Sequence, residues 1–128
     1  MERVAYLDTH AVVWLYAGDL SLFPKKALRL IEDAEIKISP IVQLELQYLW
    51  EVERIKVKPE KILKALETNP GIKVCAEDFE KIVAASVHQS WTRDPFDRII
   101  TAQASLADAF LITKDESIHK HYKKTVWE

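Results

Sequence analysis

Short apolar runs of three to five residues alternate with longer amphipathic stretches along the chain, and this alternation predicts strands feeding helices. Arg3 to Leu7 is apolar and stops at Asp8, and Thr9 to Ala17 then runs at helical length to Gly18. Pro24 opens an amphipathic helix through Ala34, with Ala27, Leu28 and Ile31 at helical spacing. Glu35 to Ile38 is a second strand, and Ser39-Pro40 is an N-cap and first-turn pair for a helix to about Val52. Pro59 starts a helix to about Glu67, Asn69-Pro70-Gly71 is a turn, and Ile72 to Val74 is a third strand. Ala76 to His88 reads as helical, Asp94-Pro95 begins a helix to Ala107, Ala109 to Thr113 is a buried strand, and Lys123 to Trp127 is a last edge strand. Strands this short separated by helices predict a three-layer α/β/α domain with a central, mainly parallel sheet. In such sheets ligands bind beyond the carboxyl ends of the strands, at a topological switch point.

Composition narrows this picture. The 128 residues, 48% hydrophobic and 30% charged, suit a single globular domain, 1–128, without linker or repeat. The two glycines, Gly18 and Gly71, stand too far apart for a dinucleotide or P-loop phosphate motif. A formal charge of −2 gives no global pull toward nucleic acid, so any such contact must be local. The single cysteine, Cys75, allows no internal disulfide and no C-x-x-C metal pair, which suits a reducing compartment. The longest uncharged stretch, Ile82 to Thr92, is far below the roughly 20 residues that span a bilayer, and no signal peptide is evident. A cytoplasmic location is expected.

The acids carry the chemistry. Asp8 follows the first strand, and Asp115 follows the strand Ala109 to Thr113, so both belong to one edge of the sheet. Each also suits a helix N-cap. Glu45 has Ile41, Val42, Tyr48 and Leu49 at helical spacing, which places it on the inward stripe of its helix. A carboxylate there must be neutralised, paired with a cation such as Arg93 or Arg98, or set in a pocket wall. Asp94 reads as an N-cap, with Pro95 at N1 and Asp97 at N3, and Arg93 and Arg98 can also pair with Asp94. Asp8, Glu45, Asp97 and Asp115 thus come from four separate segments. Gathered together they would hold protons at neutral pH unless a cation compensates them. Hard oxygen donors favour Mg²⁺ or Mn²⁺ over zinc, and the matching chemistry is hydrolysis of a phosphodiester.

Tyr6-Leu7-Asp8-Thr9, Ile41-Val42-Gln43-Leu44-Glu45-Leu46, Arg93-Asp94-Pro95-Phe96-Asp97-Arg98 with Ala102 and Ala104, and Leu111-Ile112-Thr113-Lys114-Asp115 resemble, in order and spacing, the successive motifs of PIN-domain proteins, in particular VapC-type toxins. The resemblance covers essentially the whole chain. It implies a Mg²⁺- or Mn²⁺-dependent endoribonuclease, homodimeric, inhibited by a small VapB-type antitoxin. Carried over by position, Asp8, Glu45, Asp97 and Asp115 form the acidic quartet as catalytic residues and metal ligands, Asp8 and Asp97 most directly. Thr9 and Thr113 support the site. Asp97 is preferred to Asp94 as the third acid because of its spacing to Ala102 and Ala104, and Asp94 stays auxiliary. Arg93, Arg98 and Lys114 flank the acids and are candidates to hold RNA, with Lys120, Lys123 and Lys124 as a basic C-terminal run.

Trp14, Trp50, Trp91, Tyr16 and Tyr48 suit core, interface or base stacking, Cys75 suits core packing, and His119 and His121 suit a surface helix. A phospho-acceptor module would need an adjacent acid pair after the first strand, and a D-x-D phosphatase an acid where His10 stands. The alternative within the resemblance is a PIN-like domain that binds RNA or a partner without cleavage, or a nuclease acting on structured DNA.

Overall fold

The computed structural model describes residues 3–68, 71–75 and 78–128. Five strands, β1 (Val4–Leu7), β2 (Glu35–Ile38), β3 (Lys73–Val74), β4 (Phe110–Ile112) and β5 (Thr125–Val126), form one sheet in the order β3-β2-β1-β4-β5. Every pairing is parallel, so the sheet is wholly rather than mainly parallel among the described residues. Among the described residues seven helices accompany it: α1 (Thr9–Ala17), α2 (Lys25–Asp33), α3 (Pro40–Glu51), α4 (Pro59–Thr68), α5 (Phe79–Ser86), α6 (Pro95–Leu106) and α7 (Glu116–His121). The result is the three-layer α/β/α arrangement that the alternation predicts.

Local chemistry sets the boundaries. Gly18 takes φ +75° and its N–H returns to the Leu15 carbonyl, closing α1 in the left-handed conformation that costs glycine least. Ser39 caps α3 through its hydroxyl, with Pro40 at the first position. The segment expected to be helical from Ala76 is helical from Phe79, because Asp78 accepts the Lys81 N–H as N-cap; Ala76 and Glu77 lie outside the described residues. The expected turn at Asn69-Pro70 also lies outside them. The last expected strand shortens to Thr125–Val126, and a short 3-10 turn at Leu20–Leu22 is added.

Tyr6, Leu7, Leu111 and Ile112 on the two central strands are buried, as are Val42 and Leu46 of α3 and Ile100 and Ala104 of α6. Parallel strands covered on both faces carry such continuous apolar runs. The chain places β2 and β3 on one side of β1, then β4 and β5 on the other, so the direction of winding reverses between β1 and β4. That is the switch point of this sheet. Asp8 N donates to the Ile112 carbonyl at 3.2 Å, which extends the β1–β4 pairing to the residue that opens the site.

Leu111 has no exposed surface. Leu111→Ala should therefore lower the unfolding free energy by about 2–5 kcal/mol in urea melts, whereas Leu44→Ala on the exposed face of α3 should change it by less than about 0.5 kcal/mol. Equal effects of the two would place the core elsewhere.

Candidate active site

An open cavity of about 470 Å³ lies over the switch point, lined by Asp8, Thr9, His10, Trp14, Glu45, Asp94, Asp97, Lys114, Asp115 and Glu116. The four acids proposed from separate segments therefore meet in one place, and Asp94 joins them at the wall.

Each acid is aimed by its local structure. Asp8 is buried at the end of β1, where Oδ1 accepts the Ala11 N–H at 2.9 Å as N-cap of α1. Its Oδ2 accepts from the Thr113 hydroxyl. A carboxylate has about four lone-pair sites, so both oxygens keep acceptor capacity. Thr113 Oγ1 in turn accepts the Asp115 N–H at 3.0 Å, linking the end of β4 to the first turn of α7. Asp115 caps that helix through the Ile118 N–H at 3.0 Å. His119 completes the support: its Nε2 lies 2.6 Å from the Thr113 carbonyl and its Nδ1 2.8 Å from Thr125 Oγ1. A carbonyl only accepts, so Nε2 carries the proton and Nδ1 accepts from Thr125.

Glu45 is half-buried, and Thr9 Oγ1 donates to its Oε1 at 2.5 Å. Val42 and Leu49 beside it on α3 are buried but Tyr48 is exposed, so Glu45 stands at the border of the apolar stripe, in the pocket wall. Among the described residues, neither Arg93 nor Arg98 pairs with Glu45 or with Asp94. Arg93 Nη1 donates to the Ser90 carbonyl at 3.0 Å and Arg98 Nε to the Thr92 carbonyl at 2.8 Å, so both secure the loop before α6, and neither lines the cavity. Lys114 does line it, with Nζ 5.9 Å from the Trp14 ring centroid. Asp94 is exposed and its Oδ1 accepts the N–H groups of Phe96 and Asp97, which makes it the N-cap of α6. Asp97, three positions further into α6, is half-buried and faces the other acids.

The expected crowding of charge is visible in the acids' proton affinities. Burial, then repulsion from Asp94, Asp115, Glu45 and Asp8, pushes the Asp97 carboxyl up to about 7. Burial also raises Glu45, opposed by the Thr9 hydrogen bond, and raises Asp8, opposed by its bonds from Thr113 and Ala11. The donor set, hard carboxylate oxygen with His10 at the rim and no thiol, fits a hard dication. Among the described residues no three acid, His or Cys side chains already close around a single point.

Three wall residues carry no distinctive motif in the sequence. His10 and Trp14 lie one helical turn apart on α1, with ring centroids 6.0 Å apart, and Glu116 begins α7. The signals that could have found them are helical spacing from Asp8 and adjacency to Asp115. Trp14 meets Phe23 and Trp127, Trp91 stacks on His121 at 4.9 Å, and Tyr48 lies 6.3 Å from Phe96.

A wholly parallel sheet with carboxylates gathered over its switch point defines an acid-pocket α/β domain rather than a glycine-loop nucleotide binder. The PIN domain family model matches residues 5–124, and the chain belongs to the PIN domain family. Among solved structures it is similar to a toxin-antitoxin complex from Klebsiella pneumoniae, at 22% identity and TM-score 0.65 over 95% of each chain. It is also similar to VapBC2 from Rickettsia felis bound to a DNA fragment from its promoter, at 21% identity and TM-score 0.60 over 98% of this chain and 99% of that one. A third is PAE2754 from Pyrobaculum aerophilum, at 16% identity and TM-score 0.64, covering 98% and 90%. No curated protein matches the chain.

The raised carboxyls set a pH dependence. Because the folded state holds these protons more tightly than the unfolded chain, the associated stability is full below about pH 4 and is lost as pH rises through about 7 for Asp97. In EDTA the Tm should therefore fall by a few degrees between about pH 5 and pH 8, and Asp97→Asn should flatten that fall. Identical pH profiles for the two proteins would contradict the crowding of charge at Asp97.

Proposed function

We propose that the chain is a VapC-type toxin, a Mg²⁺- or Mn²⁺-dependent endoribonuclease in which Asp8, Glu45, Asp97 and Asp115 form the catalytic, metal-binding quartet. The observation that carries this reading is the convergence of four carboxylates from β1, α3, α6 and α7 on one open cavity. PIN domains are typically nucleases, and PIN nucleases generally use divalent metal ions.

Asp8 and Asp97 are the most direct ligands in this proposal. Thr113 and the Ala11 N–H fix the plane of the Asp8 carboxylate, and Thr9 fixes Glu45, so the fold holds the donors in place before substrate arrives. Asp97 holds a proton near neutrality without a cation and gives it up to ligate one, so metal affinity rises with pH through about 7. A bound dication would supply charge neutralisation at the phosphate and a more acidic water. Lys114, which lines the cavity, is the candidate to meet a phosphate oxygen, and Arg93 and Arg98, which hold the loop before α6, are candidates to meet RNA beside it.

The partners in this reading are single-stranded or structured RNA, a VapB-type antitoxin and a second copy of the chain, in the cytoplasm. Two of the similar structures are toxin-antitoxin complexes, which supports the antitoxin. Exposed apolar stripes, Leu44 and Tyr48 of α3 with its C-cap Val52, and Phe79 and Val83 of α5 with its C-cap Val87, support protein contacts. No helix among the described residues is long and apolar enough to cross a membrane.

Purified protein should cleave single-stranded RNA with Mg²⁺ or Mn²⁺, stop in EDTA, and speed up between about pH 6 and pH 8. Asp97→Asn and Glu45→Gln should each lower the rate at least about a hundredfold, close to 2.7 kcal/mol, with unchanged circular dichroism. Undiminished cleavage by Asp8→Asn in EDTA would refute the metal mechanism.

A further inference from the structure

The opposite edge of the sheet carries the reverse charge. Arg3 precedes β1, Lys26 and Arg29 lie on α2, and Lys123 and Lys124 precede β5; together they line a cleft of about 330 Å³ floored by Phe110 and Leu30. Arg3 Cζ and Lys124 Nζ both lie over the Phe110 ring, at 5.9 Å and 5.2 Å from its centroid, which gathers two of the cations about one aromatic ring. The acids beside the cleft are few. Asp33 approaches Arg3 at 3.9 Å and Asp108 meets Lys124 at 3.1 Å, while Lys26, Arg29 and Lys123 make no ion pair among the described residues. An excess of positive charge is thus held by three separate segments of a chain whose net charge is −2.

We propose that this cleft is a phosphate-binding site that anchors an RNA strand remote from the acid pocket. The proposal rests on the ribonuclease reading above. Among the described residues lining that pocket, Lys114 is the one Lys or Arg, against six acids. A polyanion is therefore repelled there until a dication neutralises the cluster, and its affinity must come from elsewhere. Arg3 and Asp8 mark the two ends of β1, about 16 Å apart at a strand rise of ~3.3 Å per residue. A strand of several nucleotides spans that distance, with evenly spaced phosphates to meet cations spread over α2 and the starts of β1 and β5. Phe110 is covered by its two cations, so the cleft reads backbone charge and not base identity.

The test measures binding without cleavage. Fluorescence anisotropy in EDTA with a labelled RNA of about 20 nucleotides compares the natural chain with Arg29→Glu and with Lys26→Glu/Lys123→Glu, all exposed positions whose folding circular dichroism checks. Reversal should weaken binding at least about tenfold and reduce the salt slope by about 0.7 for each phosphate that no longer meets a cation. Cleavage of a labelled trinucleotide, too short to reach the cleft, should be unchanged. Unaltered affinity and salt slope in the reversed variants would overturn the site. Binding of polyglutamate at least about tenfold tighter than of the RNA at equal charge concentration would overturn the RNA assignment in favour of an acidic protein segment. Retained binding without metal-dependent cleavage by the natural chain would sink the nuclease reading and leave the cleft standing.

Discussion

Crowding several carboxylates at one edge of a small sheet is costly, and the local structure of this domain is arranged around holding them there. Left to solvent, Asp8, Glu45, Asp97 and Asp115 would separate; in the fold, each is tied to an element that cannot move without unpairing a strand or uncapping a helix. The tie at Asp8 is the most constrained. Its N–H completes the β1–β4 pairing, one carboxylate oxygen caps α1 and the other takes the Thr113 hydroxyl from the end of β4. The switch point is thereby fastened by the same side chain that opens the pocket.

Capping and ligation are often treated as competing explanations for an acid at a strand-to-helix turn. Here they coincide. Asp8, Asp94 and Asp115 are all N-caps, and three helices begin around one cavity because three chain segments emerge at the same edge. Helix N-termini carry partial positive charge, which lessens the cost of gathering acids but does not cancel it. The residue without a capping role, Glu45, is held by a threonine hydroxyl, and Asp97, which accepts neither kind of bond among those described, is the acid pushed up to about 7.

Much of this was legible in the residues. Strand and helix existence follow from short apolar runs between capped amphipathic stretches, and Glu35–Ile38 and Thr9–Ala17 are bounded by visible punctuation. The shift of α5 to Phe79 was less visible because Asp78 is one of several acids and lysines that could begin it. The convergence of Asp8 and Asp115 on one edge follows from both succeeding parallel strands. The fates of Arg93 and Arg98 were not legible, because spacing cannot distinguish an arginine that meets a carboxylate from one that meets a carbonyl three or six residues away. Nor was the His119 bridge, which depends on β4 and β5 lying side by side.

A net charge of −2 conceals a two-ended molecule. Acids collect where parallel strands deliver chain segments to helix N-termini, and basic residues collect at the other ends of the same strands, beyond the reach of those acids. In salt near 0.15 M the screening length is about 8 Å, roughly half the separation of Arg3 from Asp8, so each end acts on its surroundings almost independently of the other. Overall charge therefore decides solubility and little else, while the identity of what binds is decided edge by edge. The sheet, by fixing how far apart its two edges stand, decides which ligands are long enough to feel both.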